Sequence, residues 1–400
     1  MLLHPRKTFY CILLVLISLV LYQAYKAYRF TMSIDYKSID EPTALGKGLQ
    51  NAGVGKSDMK YILQWTSPNN VPLVYMGKGQ QGFLERKCPY TNCFVTADRS
   101  LLGDTSKFDA IVFAGPEVVR IHTLPEKRSS HQKFVFATIE SASNYPACSN
   151  RFDGYFNWTW TYNLDSEVQW GYFAIRDSEG VKVGPKKQMH WMKAEDMDPV
   201  SEEFRNGLKT KTKAAAWFVS NCYTLSHRED LVKKLKEEMK NYDMELDVYG
   251  KCGNRKCPTK EGEDCDKLLK DTYYYYLAFE NSFSEDYVTE KLLHALENNV
   301  VPVVFGGANY SRFMPDGIYL NAKELDLKKL VSKMDEGIKD ANKYAEYFRW
   351  KNHYSYHRQF ESFETDPYCL FCTHLNNEEM VRKTTIYKDF RKWWDTPGRC

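Results

Sequence analysis

A phenol, a carboxylate and an amine lie close together in the stretch SEDYVTEKLLHALENNVVPVVFGG, residues 284–307. On a helix, which turns by about 100° per residue, one face carries Tyr287, Glu290, Lys291 and His294. The adjacent face is apolar and carries Val288, Leu292, Ala295 and Leu296. The polar face could be an ordinary solvated surface with (i, i+4) neighbours, or it could bind a ligand. Its position in the chain favours the second interpretation.

The polar face begins directly after a predicted strand, TYYYYLAFEN, residues 272–281. We therefore place residues 287–291 in the first turn of a helix, where unpaired backbone N–H groups attract anions. Lys291 suits a phosphate there, whereas Glu290 would repel a phosphate and accept the hydroxyl groups of a sugar or ribose. This set predicts a sugar-nucleotide site. Neither GxxxxGK[ST] nor GxGxxG occurs in the stretch, so glycine-loop binding of phosphate is not indicated.

The elements around this site alternate between apolar strands and amphipathic helices. In the second half of the chain, strands are predicted at 214–221, 245–250, 272–281 and 300–307, with helices at 227–242 and 325–351. In the first half, the folded part is expected to begin near 61–66, and strands are predicted at 92–99, 108–115 and 133–141. The aromatic segment 154–168 is expected at a domain edge, and the charged stretch 193–213 at a domain junction. The pattern predicts an α/β protein with two parallel, doubly wound sheets that face a cleft.

Composition agrees with a globular protein of one large or two medium-sized domains. The 400 residues are 43% hydrophobic, which is ample for a packed core, and the formal net charge is only +3. No basic stripe or RNA-binding signature is present in the sequence, so nucleic acid is not an expected partner.

The N-terminus predicts attachment to a membrane. An apolar run from Phe9 to Leu21 follows Arg6 and Lys7, and no charged residue occurs between Thr8 and Ala24. A segment this short would also fit the core of a cleaved signal peptide, but no small-x-small cleavage site follows it and tyrosines flank it. We therefore expect an uncleaved signal-anchor helix.

The cysteines indicate an oxidising compartment. In such a compartment the close pairs Cys88/Cys93, Cys252/Cys257 and Cys369/Cys372 are candidates for local disulfides. A zinc site built from the last two pairs is the alternative, but their spacing does not form two regular CxxC knuckles. The acceptor sequons at Asn157 and Asn309 also favour a luminal location.

These features predict a single-pass type II membrane protein with most of its chain in the lumen. The expected division is a cytoplasmic tail (1–7), a signal-anchor helix (8–25), a stem (26–57), an N-terminal domain (58–205), a C-terminal domain (206–365) and a Cys-containing extension (366–400).

Several motifs resemble the α1,3-fucosyltransferases. LAFENS (277–282), DYVTEK (286–291) and VPVVFG (301–306) are similar to the donor-binding signature of that family. The likeness extends to CPYTNCFVTADRS (88–100), FATIES (136–141), FNWTWTYNLDS (156–166) and WFVSN (217–221), and so to most of the chain after the stem. The resemblance implies a GT-B architecture of two Rossmann-like halves, with the acceptor side in 58–205 and the donor-binding side in 206–365. It also implies a catalytic region in the Golgi lumen, GDP-fucose as the donor, and transfer with inversion to a hydroxyl of GlcNAc.

The resemblance also implies roles for particular residues. Tyr287, Glu290 and Lys291 match the donor contacts of the family, and Arg228 matches its basic residue near the diphosphate. Further nucleotide contacts are expected from Ser220, Asn221 and Asn281. Arg228 could instead be an ordinary charge in the first turn of a helix, and Asn281 could simply hold a turn.

Glu140 is the expected general base. A carboxylate at the end of the strand KFVFATIES would point into the cleft from the first half of the chain. Although such a glutamate is more often a surface residue, its match to the family favours the catalytic role. Arg228 and Lys291 could offset the charge of GDP, so the chemistry does not require a metal, and no metal ligands are assigned. Mn²⁺ or Mg²⁺ could still stimulate the reaction.

The acceptor is less strongly indicated than the donor. VYGKCGNRKCP (248–258) and YCLFC (368–372) look most like family members that act on the N-glycan core, which makes core GlcNAc the expected acceptor. Asn163 and the pair Asn298-Asn299 depart from the family pattern. Antenna GlcNAc is the alternative acceptor, and a catalytically silent, membrane-tethered glycan-binding protein is the alternative from another functional class. An unrelated soluble nucleotide-binding protein would not explain the anchor, the cysteines and the sequons.

Overall fold

The computed structural model describes residues 58–257, 263–383, 385–394 and 400. The predicted cytoplasmic tail, signal-anchor helix and stem, residues 1–57, lie outside the described residues. Among the residues that are described, no helix has the length and apolar character needed to cross a bilayer.

The first half of the described chain forms a parallel sheet of six strands. These strands are β1 Lys60–Gln64, β2 Cys93–Thr96, β3 Ala110–Ala114, β4 Lys133–Ala137, β5 Trp158–Thr161 and β6 Val168–Gln169. Their spatial order is β2-β1-β3-β4-β5-β6, and β3 and β4 pair in register from Ala110 with Lys133 to Ala114 with Ala137. Every residue of β3 and β4 is buried, as expected for a parallel sheet that is covered on both faces. The segment 154–168, expected at a domain edge, contains the buried strand β5, which pairs with β4 and β6.

Two short strands separate this sheet from the next one. They are β7 Phe173–Asp177 and β8 Lys182–Gly184, which pair antiparallel with each other. The sequence analysis did not identify these two strands.

The second half of the chain forms a parallel sheet of five strands. These strands are β9 Lys213–Phe218, β10 Leu246–Tyr249, β11 Tyr273–Phe279, β12 Val301–Phe305 and β13 Leu320–Asn321. The order is β10-β9-β11-β12-β13, so the chain runs outward from β9 to one side and then returns to the other. In such a doubly wound sheet, ligands bind beyond the carboxyl ends of the strands where the order reverses. Here that switch point lies between β9 and β11. A last strand, β14 Tyr354–Arg358, joins β7 in the small antiparallel sheet.

Helices cover both faces of the second sheet. Alternate residues of β11 face opposite sides: Tyr275 and Leu277 pack with the helix Arg228–Lys240, and Tyr276 and Ala278 pack with the helix Glu290–Glu297. The described α-helices are Gln81–Glu85, Gly115–Val118, Glu202–Leu208, Arg228–Lys240, Glu263–Thr272, Glu290–Glu297, Leu327–Lys339, Ala341–Glu346, Pro367–Asn376, Glu378–Arg382 and Phe390–Trp394. Parallel, doubly wound sheets were therefore predicted correctly.

The end of the chain returns to the first sheet and covers both of its faces. The helix Pro367–Asn376, capped by the Asp366 carboxylate on the Tyr368 N–H at 2.8 Å, packs Phe371 and Leu375 against one face. On the other face, Phe390 and Trp394 pack against Phe136 with ring centroids 5.0 Å apart. The last residues of the chain thus complete a core that begins more than 250 residues earlier.

The disulfides correct the predicted local pairs. Cys88 is bonded to Cys369 and Cys93 to Cys372, while the other bonds are Cys148–Cys400, Cys222–Cys252 and Cys257–Cys265. Cys369 and Cys372 lie one helical turn apart, so both thiols point in the same direction, toward the sheet that the helix covers. Cys252 follows β10 and meets Cys222, which follows the neighbouring strand β9. The prediction failed because it paired cysteines by sequence distance, whereas the fold pairs them across neighbouring elements.

Candidate functional site

The two halves of the molecule meet where β4 and β11 end. The segment Glu140–Asn144 follows β4 and the segment Asn281–Glu285 follows β11. The hydroxyl of Ser141 hydrogen-bonds that of Ser282 at 2.6 Å, and the Ser143 N–H donates to the Ser284 hydroxyl at 3.2 Å. All four serines are buried. This serine seam holds the end of one strand directly against the end of the other.

Glu140 lies at this seam, half-buried, and faces a residue from the other half. The phenol of Tyr287 donates toward the Glu140 carboxylate at 3.5 Å, and the Asn144 side-chain amide approaches the same oxygen at 3.5 Å. Both contacts are long, so the carboxylate keeps lone pairs for another donor. Burial raises the pKa of Tyr287 well above its usual value, so the phenol keeps its proton and can act as a donor. Glu140 and Tyr287, predicted from separate motifs, are therefore neighbours.

Tyr287 precedes its helix, which is a correction to the predicted first turn. The helix begins at Glu290, with Thr289 as its extended N-cap residue. Asp286 has a φ of +58°, which turns the chain sharply before Tyr287. As a result the Tyr287 ring leaves the helix face shared with Glu290 and packs edge-on against Tyr162 of the first half, with ring centroids 4.8 Å apart. The helical wheel failed because it extended a regular geometry through this turn.

Asp286 was missed by the sequence analysis and fixes the turn. Its side chain is 0% exposed and accepts from Lys187 at 2.7 Å and from Arg312 at 2.6 Å. The backbone N–H of Leu164, from the first half, donates to the same carboxylate at 3.2 Å. A buried charge is tolerated only when it is paired and hydrogen-bonded in this way. Asp286 therefore connects three parts of the chain immediately before Tyr287.

Lys291 is held by carboxylates. Its amine lies 3.1 Å from Glu280 and 3.1 Å from Glu290, and it donates to the Thr289 hydroxyl at 2.7 Å. Burial alone would lower the pKa of Lys291, but the two carboxylates outweigh that effect and raise it. The amine is thus a positive charge fixed beside the end of β11. Glu280 was also missed, although its place in FENS, next to Asn281, was a usable signal.

Arg228 is the first residue of the helix that follows β9. Its guanidinium is buried and donates to the carbonyl oxygens of Phe279 at 2.5 Å and Asn221 at 3.3 Å. Burial lowers its pKa, yet an arginine stays charged under all ordinary conditions. Among the described residues the Arg228 Nε atom has no hydrogen-bond partner. Arg228 thus joins the ends of β9 and β11 and leaves one donor unused.

A cavity of about 660 Å³ opens at the switch point between these strands. Asn221 lines it after β9 and Asn281 after β11, and Asn144 reaches it from the first half. Trp217, Val232 and Val248 contribute its apolar lining. Ser220 lies exposed just before Asn221. Asn144 also contacts Glu140, so one residue connects the lining of the cavity to the candidate base.

The two predicted glycosylation sites differ in exposure. Asn309 is exposed, and its side-chain oxygen accepts from the Ser311 hydroxyl at 2.8 Å. Asn157 is buried, with its amide donating to the Thr385 carbonyl and its oxygen accepting from the Phe134 N–H, both at 3.0 Å. This burial counts against Asn157 as a glycan acceptor, because Asn157 bonds the backbone of two other segments. Sequon spacing carries no information on such packing.

Metal ligands were not assigned from the sequence. Within the described ranges no group of three or more His, Cys, Asp or Glu side chains is arranged to hold a metal ion. The cysteines of the alternative zinc site are all bonded in disulfides.

The serine seam was missed as well, although the sequence contained a signal for it. The segments ESASN (140–144) and NSFSE (281–285) each place serines two residues apart at the end of a predicted strand. In the structure Ser141 begins a turn, because the Asn144 N–H donates to its carbonyl oxygen at 3.1 Å. Tyr172, whose phenol donates to the Ile139 carbonyl at 2.7 Å, supports the same region without any recognisable motif.

Comparison with known proteins identifies relatives along most of this chain. Residues 57–173 match the family model described as fucosyltransferase, N-terminal, and residues 208–393 match that of glycosyltransferase family 10 (fucosyltransferase) C-term. Alpha-(1,3)-fucosyltransferase C of Drosophila melanogaster is 37% identical over 318 residues, which cover 78% of this chain and 71% of that protein.

Two further relatives carry more specific names. Glycoprotein 3-alpha-L-fucosyltransferase A of Drosophila melanogaster is 32% identical over 81% of this chain, which spans 58% of that protein. The 4-galactosyl-N-acetylglucosaminide 3-alpha-L-fucosyltransferase FUT6 of Pan troglodytes is 30% identical over 87% of this chain and 89% of that protein. A solved structure described as an alpha1,3-fucosyltransferase with GDP-fucose is 16% identical over 88% of this chain and 96% of that chain, with a TM-score of 0.47.

Proposed function

The chain belongs to glycosyltransferase family 10, the fucosyltransferases, and we propose that it transfers L-fucose to the 3-hydroxyl of GlcNAc with inversion at the anomeric carbon. It is a GDP-fucose-dependent α1,3-fucosyltransferase by its family and its similarity to named α1,3-fucosyltransferases. We propose the identity of the acceptor, the inversion and the roles of the individual residues.

One observation carries the proposal. Glu140, at the end of a strand in the first sheet, lies beside the cavity at the switch point of the second sheet. Tyr287 from the second half approaches it at 3.5 Å. Transfer between two bound substrates needs a base that is held close to the nucleotide site. Here the base belongs to one half and the nucleotide site to the other.

The proposed reaction is a direct displacement. The Glu140 carboxylate takes the proton of the GlcNAc 3-hydroxyl while that oxygen attacks the anomeric carbon of fucose. The bond from this carbon to the diphosphate oxygen breaks, and GDP leaves from the opposite face with the bonding electron pair. One displacement inverts the configuration, and the protonated Glu140 then releases its proton to water.

The leaving diphosphate gains negative charge, which fixed cations can stabilise. Lys291 is held in place by Glu280 and Glu290, and Arg228 by two carbonyl oxygens. We assign the diphosphate to these two cations and the nucleotide to the cavity lined by Asn221 and Asn281. Ser220 and Glu290 complete the proposed donor contacts, with Glu290 accepting sugar or ribose hydroxyls.

We also propose a GT-B arrangement and a Golgi location. Two doubly wound sheets with a site between their strand ends support the former. Five disulfides support an oxidising lumen. The apolar segment 8–25 would then anchor the chain as a single-pass type II protein, and the exposed Asn309 would be a glycan acceptor.

The core GlcNAc of an N-glycan is the proposed acceptor. The motifs VYGKCGNRKCP and YCLFC support it, and one relative is named as a glycoprotein 3-alpha-L-fucosyltransferase. Antenna GlcNAc is the second candidate, because another relative is named for a 4-galactosyl-N-acetylglucosaminide acceptor.

A donor and acceptor screen tests the proposal. The purified full-length chain is incubated with GDP-fucose and a panel of core and antenna glycans, and fragmentation mass spectrometry locates any added fucose. We expect fucose on the 3-hydroxyl of core GlcNAc. Fucose on antenna GlcNAc alone would replace the core acceptor by the second candidate, and no transfer to any glycan, with glycan binding retained, would identify a catalytically silent binding protein.

A further inference from the structure

Tyr223 is an exposed aromatic residue that lines the switch-point cavity. The residue is 91% exposed, but contacts on both sides of it hold its loop in place. The neighbouring residue Cys222 is bonded to Cys252, and the Ser226 N–H donates to the Asn281 carbonyl at 3.1 Å. Because the loop is held on both sides and the Tyr223 ring is exposed to solvent, a flat group can stack on this ring.

Asp230, like Tyr223, has no role among the donor contacts proposed above. It lies in the first turn of the helix Arg228–Lys240 and lines the same cavity. The adjacent Glu229 is occupied, because it accepts from the Thr224 N–H and hydroxyl, both at 2.9 Å. The Asp230 carboxylate is 56% exposed and contacts Lys233 at 3.1 Å, which leaves it further acceptor positions.

Tyr223 and Asp230 line the same cavity. Asn144, the residue that contacts Glu140, lines the cavity together with Tyr223 and Asp230. A sugar nucleotide whose fucose approaches Glu140 must direct its base toward another part of this cavity. The apolar lining from Trp217 and Val232 suits the face of a base.

We propose that Tyr223 and Asp230 select the guanine base of GDP-fucose. The base stacks on the Tyr223 ring, and the Asp230 carboxylate accepts hydrogen bonds from N1–H and the 2-amino group of guanine. Adenine offers no such pair of neighbouring donors, so it is rejected by the unpaired carboxylate. This inference rests on the proposed function, because it assumes that the cavity holds the donor nucleotide.

Calorimetric titration of the purified full-length chain with GDP and with IDP, which lacks the 2-amino group, separates the two roles. Y223A should weaken both nucleotides by at least about five-fold, because it removes the stacking surface, whereas Y223F should bind both as the unaltered chain does. D230N should weaken GDP about ten-fold more than IDP, because a hydrogen bond to a charged acceptor is lost.

Two matched controls lie outside the cavity lining. Tyr90 is 43% exposed, and Asp271, like Asp230, contacts a lysine of its own helix, Lys267 at 3.3 Å. Y90A and D271N should leave both affinities within two-fold. Unchanged binding in Y223A, or an unchanged ratio of GDP to IDP affinity in D230N, would overturn the inference. Failure of the unaltered chain to bind GDP would instead overturn the proposed function.

Discussion

The two parallel sheets share a strand order but are completed in different ways. In each sheet the second strand lies outside the first, and the remaining strands follow on the other side. Helices that lie between or just after its own strands cover the second sheet. The first sheet is covered on both faces by residues from the end of the chain, and two disulfides attach the helix Pro367–Asn376 to it.

The second sheet is covered by helices that lie near its own strands in the sequence, whereas the first sheet depends on residues from the end of the chain. Arg228, Lys291 and all but one of the residues that line the switch-point cavity belong to the second half. Glu140 belongs to the first half, and its strand is buried only when the last part of the chain is in place. Catalysis by Glu140 should therefore be more sensitive to the chain end than nucleotide binding is.

The largest expected effect comes from removing the two bonds that attach the helix Pro367–Asn376 to the first sheet. Replacing Cys88, Cys93, Cys369 and Cys372 with serine should lower the free energy of unfolding by about 5 kcal/mol, because each bond closes a loop of about 280 residues. Hydrogen exchange should rise in β1–β5 and stay unchanged in β9–β13. The control C257S/C265S opens a separation of 8 residues and should cost about 2 kcal/mol. Equal increases in both sheets would refute the distinction between the halves.

The second effect concerns the connection between the halves. D286N should lower the free energy of unfolding by about 3 kcal/mol, because it leaves two cations facing a neutral amide in a buried position. E285Q is a matched control: Glu285 contacts the same Lys187 and Arg312 but is 64% exposed, so its loss should cost less than about 1 kcal/mol. Denaturant titration measures both values, and similar losses would show that Asp286 has no special structural role.

The smallest effect is on donor affinity. K291A should weaken GDP binding about ten-fold, because a charge-assisted contact to phosphate is lost. Calorimetry should be done below the unfolding temperature of the variant, since Glu280 loses its counter-charge. K240A removes an exposed lysine that contacts Glu237 and should leave GDP affinity unchanged. Equal affinity in K291A would remove Lys291 from the phosphate site.

Much of the second half could be predicted from the sequence, for the same reason that it is locally built. The strands β9, β11 and β12 carry strong apolar runs, and the helix Arg228–Lys240 has regular apolar spacing. Local patterns of this kind determine element type directly. The start of the helix at Glu290 could not be predicted, because the φ of +58° at Asp286 depends on Lys187, Arg312 and Leu164.

The strands β2, β3 and β4 of the first half were predicted, whereas β5, β6 and the segments that cover the sheet were not. Neither the bond from Cys88 to Cys369 nor the packing of Trp394 on Phe136 has a local signal, since these partners are far apart in the sequence. The candidate site was found because its residues follow strand ends in recognisable motifs. The serine seam and Asp286 were missed because their contacts exist only when both halves are folded.

The most direct test of this account is the E140Q variant of the full-length chain. Its turnover with GDP-fucose and the acceptor found in the screen should fall by about 10²–10⁴-fold, because the amide cannot accept the hydroxyl proton. Its GDP affinity should stay within two-fold of the unaltered chain, because Glu140 is not among the residues that line the switch-point cavity. Turnover equal to that of the unaltered chain would contradict the account, since no carboxylate base would then be needed at this position.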